Sequence, residues 1–176
     1  MSVSSQFLGR DTWDQDFPPN HGRTRRGGHV VNTASIAGLT PGYGIYSATK
    51  HAVVSVSETL HSQLLLEDSK VKISVLCPGF VRTRILGTGR NRPSELPTDP
   101  FKPTQDLQEA MRRFSDRIDN GMPPDQVAGI VIDAIRTEQF YVLTSTEFDD
   151  VIDTRVQDIL QRRNPKPFSR GDLLDE

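Results

Sequence analysis

The chain has 176 residues, 35% of them hydrophobic and 25% charged, enough for one compact domain with its own core and too few for two. Its net charge of -2 supplies no global positive field for nucleic acid or an anionic membrane surface, and no run approaches the ~20 apolar residues that a membrane-spanning helix needs. That charge balance leaves a small-molecule or protein partner as the expectation, and the single cysteine, Cys77, excludes an intrachain disulfide and a CxxC-type metal cluster, so a reducing, cytoplasmic setting is expected.

Residues 1–28 are polar and predict an irregular leader. Their basic run "HGRTRRGG" places Arg23, Arg25 and Arg26 in a segment without apolar periodicity, where solvated side chains are expected. The opening "MSVSSQFLGRDTWDQDF" lacks the basic end and apolar run of a secretion signal. From His29 the texture changes: "HVVNTAS" is short, β-branched and bounded by glycines, which predicts a strand. After the loop "GLTPGYG", a helix is predicted over 46–66, with Ala52, Val56, Leu60 and Leu64 four apart as its buried face. "VKISVLC", from Val71 to Cys77, reads as a second strand ended by Pro78 and Gly79. Strand, helix and strand in this order imply a right-handed parallel crossover.

The stretch 87–104, "GTGRNRPSELPTDPFKPT", carries four prolines and two glycines and predicts a long loop: a lid, a binding loop or a linker. Helices are predicted at about 105–119 and 124–138, the second started by Pro123, Pro124 and Asp125. A third strand, "FYVLTS" at 140–145, leads into a helix at about 147–163, and a tail follows from 165 to 176. Alternating strands and helices indicate an α/β fold, a small Rossmann-like open parallel sheet of about three strands with flanking helices on both faces.

The chemistry concentrates in "NTASIAGLTPGYGIYSATK", Asn32 to Lys50. Tyr46 and Lys50 are four apart at a helix start and leave the same face. Ser35 sits at the carboxyl end of the preceding strand, where open α/β sheets place their ligands. A free tyrosine ionises near pH ~10, too high for a general base at neutral pH, and an ammonium one helical turn away stabilises the phenolate. Tyr46 is then a candidate to exchange a proton with an alcohol or carbonyl while Ser35 holds the same oxygen. No side chain stores a hydride, so that chemistry requires a nicotinamide or comparable cofactor.

Together, "GGHVVNTASIAG", "YSATKHAVVSVSETL" and "ISVLCPGFVRT" resemble the catalytic half of the short-chain dehydrogenase/reductase family; the likeness extends through "PPDQVAGIVIDAI" and "FYVLT", from about Gly27 to Asn164. The resemblance implies NAD(P)-dependent redox of an alcohol or carbonyl substrate. In it Ser35 positions the substrate oxygen, Tyr46 is the acid/base, and Lys50 tunes Tyr46 and binds nicotinamide-ribose hydroxyls. Pro78, Gly79, Val81 and Thr83 match the "PGxVxT" turn that contacts the nicotinamide of NAD or NADP. Ser35 and Tyr46 are eleven residues apart, a tighter loop than the family's usual one.

No segment matches the family's "TGxxxGxG" turn or its "NAG" motif; "GYGIYS" and "GTGRNR" are incomplete fingerprints. The expected domain is therefore the later part of a larger sheet, truncated to strands five to seven and spanning 29–164. Unpaired strand edges and apolar surface then favour a homo-oligomer. A non-catalytic fragment or a dimerisation module derived from such an enzyme is the alternative reading. His21, His29, His51 and His61 have no metal-like spacing, Cys77 reads as a buried apolar residue, and the "RGD" at Arg170–Asp172 belongs to the tail.

Overall fold

A computed structural model describes residues 27–42, 44–87 and 103–165. The leader up to residue 26, most of the 87–104 loop and the tail beyond 165 lie outside the described residues. Strand β1 is Gly28–Thr33, a short 3-10 turn covers Ile36–Gly38, helix α1 is Ile45–Leu66, and strand β2 is Val71–Cys77. Helices α2 (Gln105–Asp119) and α3 (Pro124–Thr137), strand β3 (Tyr141–Leu143) and helix α4 (Asp149–Leu160) follow. The described residues thus form a three-stranded parallel sheet in the order β1-β2-β3, with four α-helices.

Val71 to Cys77 is β-branched at alternate positions and becomes the central strand, with Gly28 to Thr33 in register with Val71 to Leu76. Only Val75, Leu76 and Cys77 pair with β3, so the third strand is shorter than its 140–145 sequence pattern. Side-chain alternation sends Val75 and Cys77 to one face, where Val54 of α1 and Ala34 close a buried cluster. Leu76 points to the other face and packs with Ala134 of α3 and Val142. A third cluster at the carboxyl end joins Ile36 to Phe148, with Phe80 and Ile152 beside them.

The buried face of α1 departs from the four-residue apolar repeat. Ser47, Val54 and Ser57 are its buried residues, whereas Ala52 is exposed and Val56, Leu60 and Leu64 are half-buried. Ser57 is tolerated against the sheet because a small side chain permits close approach and its hydroxyl is satisfied. Its Oγ donates to the Val53 carbonyl at 2.7 Å and accepts from Asn32 Nδ2 at 2.9 Å. On the opposite face, Ser74 Oγ donates to the Gln139 carbonyl at 2.6 Å, which leaves it to accept from His29 Nε2 at 2.7 Å. This chain ties β1, β2 and the end of α3 together.

Candidate active site

Ser35 follows the carboxyl end of β1 and caps the 3-10 turn, its extended backbone placing Oγ to accept from Ala37 N at 3.2 Å. The turn is fastened to the neighbouring strand, because Ile36 N donates to the Pro78 carbonyl at 2.9 Å. Ser35 and Pro78 therefore sit on two connected strand ends. The Ser35 hydroxyl retains its proton for an oxygen arriving from solvent.

Gly38, three residues after the serine, brings α1 onto that turn. A Cβ there would lie 2.7 Å from the Lys50 carbonyl oxygen and 2.9 Å from its carbon, so only glycine admits the helix backbone this closely. The chain enters α1 through Gly44, whose φ of 59° again favours glycine. One turn on, Lys50 Nζ donates to the Thr33 carbonyl at 3.2 Å, two residues before Ser35, and lies 5.9 Å from the Tyr46 ring centroid. Tyr46 is 46% exposed and Lys50 half-buried. The ammonium makes one of its three possible hydrogen bonds in this way and keeps two donors. Beside Tyr46, Ser47 Oγ is buried without a hydrogen-bond partner among the described residues.

The remaining sequence-predicted residues diverge in their surroundings. Gly79 N donates to Thr144 Oγ1 at 3.1 Å, and a Cβ on Gly79 would meet Phe148 Cε2 at 2.9 Å, which ties this turn to α4. Val81 forms an isolated parallel bridge with Met122, while Thr83 is exposed in the following turn. Cys77 is fully buried, and burial pushes its thiol up to about 11, as an apolar packing residue requires. Sequence reasoning missed Gly38 and Thr144. A glycine just past a strand-end serine, before a long helix, is the signal that a close helix approach follows.

Comparison with known proteins interprets this arrangement. The family model described as short chain dehydrogenase matches residues 19–93. A crystal structure of a short chain dehydrogenase/reductase from Burkholderia phymatum in complex with NAD superposes with a TM-score of 0.76 at 38% identity, covering 89% of this chain and 57% of that one. The chain belongs to the short-chain dehydrogenase/reductase family. Among curated members, it is 36% identical over 135 residues to a CLA biosynthesis dehydrogenase/reductase from Lactiplantibacillus plantarum, covering 74% of this chain and 47% of that protein. It is also 36% identical over 86 residues to 15-hydroxyprostaglandin dehydrogenase [NAD(+)] from Rattus norvegicus, covering 48% and 30%. The chain thus spans less than half the length of these curated members of the family. No helix among the described residues is long and apolar enough to cross a membrane.

Proposed function

We propose that this chain carries the substrate-side half of a short-chain dehydrogenase/reductase active site, exchanging a proton with a small alcohol or carbonyl compound at Ser35, Tyr46 and Lys50. The observation that carries the reading is Lys50. Its ammonium stands over the Tyr46 ring and on the Thr33 carbonyl at the serine-bearing strand end, so one cation couples both elements. The nicotinamide of NAD or NADP, when bound, accepts or supplies the hydride that no side chain can store. The residues present fit its ribose end: among the described residues Lys50 keeps two ammonium donors for a vicinal diol, and Tyr46 is 46% exposed. Pro78, Gly79, Val81 and Thr83 are proposed to line the nicotinamide. NAD stands in the names of both the Burkholderia phymatum structure and the rat dehydrogenase, which supports a nicotinamide dinucleotide for this chain.

In this reading Ser35 Oγ donates to the substrate oxygen and fixes its position. Tyr46 Oη takes the alcohol proton during oxidation and returns it to the carbonyl oxygen during reduction. Lys50 holds positive charge beside the tyrosine while that proton is away, stabilising the phenolate. Tyr46→Phe is expected to lower NAD(P)-dependent alcohol oxidation at least ~10²-fold, the scale of a lost general acid/base, with the circular dichroism spectrum unchanged. Retained turnover in that variant would overturn the assignment.

A non-catalytic module derived from such an enzyme is the second reading, supported by the edge of β1, which pairs with no further strand among the described residues. Saturable NADH or NADPH binding by the purified chain supports the enzyme; its absence supports the module.

A further inference from the structure

Beyond Pro78 and Gly79, a cleft of about 280 Å³ opens at the carboxyl ends of β2 and β3, beside the end of α2. Its apolar wall is Phe80 and Met122, and its polar groups include Thr144, Ser145, Arg117 and Glu147. Thr144 and Arg117 bring donors to the cleft, while the Glu147 carboxylate is paired with Arg117. Thr144 is only 7% exposed, and its Oγ1 accepts from Gly79 N, so the hydroxyl proton has no acceptor among the described residues. The Arg117 guanidinium stands 4.8 Å from the Phe80 ring centroid and pairs with Glu147; a guanidinium carries five N–H donors, more than a single carboxylate can engage.

We propose that this cleft binds the carboxylate-bearing, non-reacting end of an aliphatic hydroxy or oxo acid. Arg117 receives the carboxylate in competition with Glu147, Thr144 donates a second hydrogen bond, and the first methylenes lie along Phe80 and Met122. The substrate class rests on the redox reading of Ser35, Tyr46 and Lys50, but binding at the cleft is measured without turnover. A positively charged fork against an aromatic wall suits a carboxylate carried on an apolar body, because the planar guanidinium matches the two carboxylate oxygens. A neutral alcohol tail gains only the apolar wall.

The test is calorimetric titration of the full chain with octanoate, and with 1-octanol as the neutral comparator. Octanoate is expected to bind at least tenfold tighter than 1-octanol. Arg117→Met should abolish that preference, and Glu147→Gln, which removes the competing carboxylate, should strengthen octanoate binding several-fold. Equal affinity for the two probes, no saturable octanoate binding, or an unchanged preference in Arg117→Met would overturn the proposal. If Arg117→Met fails to fold, Glu147→Gln decides alone: unchanged or weakened octanoate binding overturns it. Tyr46→Phe should leave octanoate binding intact, so loss of the redox reading and loss of the cleft register separately.

Discussion

Gly38→Ala offers a direct test of how the strand-end serine and the lysine-bearing helix are held together. The added Cβ would lie 2.7 and 2.9 Å from the Lys50 carbonyl oxygen and carbon, and 3.2 Å from Val54 Cγ2, inside the 3.4 Å at which ordinary contact begins. Two of these neighbours are helix backbone and cannot rotate aside, so α1 must move away from the 3-10 turn. Overpacking of this kind costs about 1–3 kcal/mol. For a chain of this length each kcal/mol lowers the melting temperature by about 2–4 °C, so a fall of roughly 2–12 °C is expected. Gly129→Ala in α3 is the control: nothing lies within 4 Å of its Cβ position, and the residue is exposed in a helix interior. There alanine should add about 0.5–1 kcal/mol by removing glycine's backbone entropy. The assay is thermal and urea denaturation of both variants followed by circular dichroism. Opposite signs support the packing; a Gly38→Ala variant within ~0.5 kcal/mol of the parent chain would refute it, since an overpacked core site loses more than that.

Two titratable groups outside the proposed centre give further expectations. Burial raises the Cys77 thiol from 9.0 to about 11, which cuts its thiolate fraction about a hundredfold below pH 9; alkylation of the folded chain should be slower than in urea by at least that factor, and equal rates would contradict its burial. Tyr141 Oη donates to Glu58 Oε1 at 2.6 Å, and that bond, followed by burial, pushes its phenol from 10.0 to about 12. The folded state thus holds a proton that the unfolded chain releases first, so stability falls between pH 10 and pH 12. Tyr141→Phe should flatten this part of the fall while Cys77 still contributes between pH 9 and 11; an unaltered profile would count against the Glu58 contact.

The strands and helices were legible where local chemistry and tertiary packing agree. The strand read at Val71 to Cys77 is found with those bounds because its part from Ile73 to Cys77, buried on both faces of the sheet, is a continuous run of apolar and small residues. Helix α2 begins where Thr104 follows the proline-rich loop, with its hydroxyl accepting from Leu107 N at 3.4 Å. The orientation of α1 was less legible. Apolar spacing selected Ala52 and its successors, but Ser47, Val54 and Ser57 are the buried residues, and polarity conceals a position such as Ser57, whose hydroxyl is satisfied by a helix carbonyl and a strand asparagine.

Within the proposed centre, the Tyr46 to Lys50 spacing was readable because one helical turn fixes it. Its attachment to Ser35 was not, since it depends on Lys50 reaching the Thr33 carbonyl and on the absent side chain of Gly38. The Arg117, Thr144 and Phe80 cleft is equally non-local: its walls come from segments on either side of α3 and meet only when β2 and β3 pair. No short window of sequence contains that geometry.

The most direct measurement is fluorescence titration of NADH against the chain and its Lys50→Met variant side by side. Saturable binding by the parent chain, weakened more than tenfold when the ammonium is removed, is the predicted result. No saturable binding by the parent chain, or equal binding by the two, would contradict a nicotinamide-ribose site at Tyr46 and Lys50.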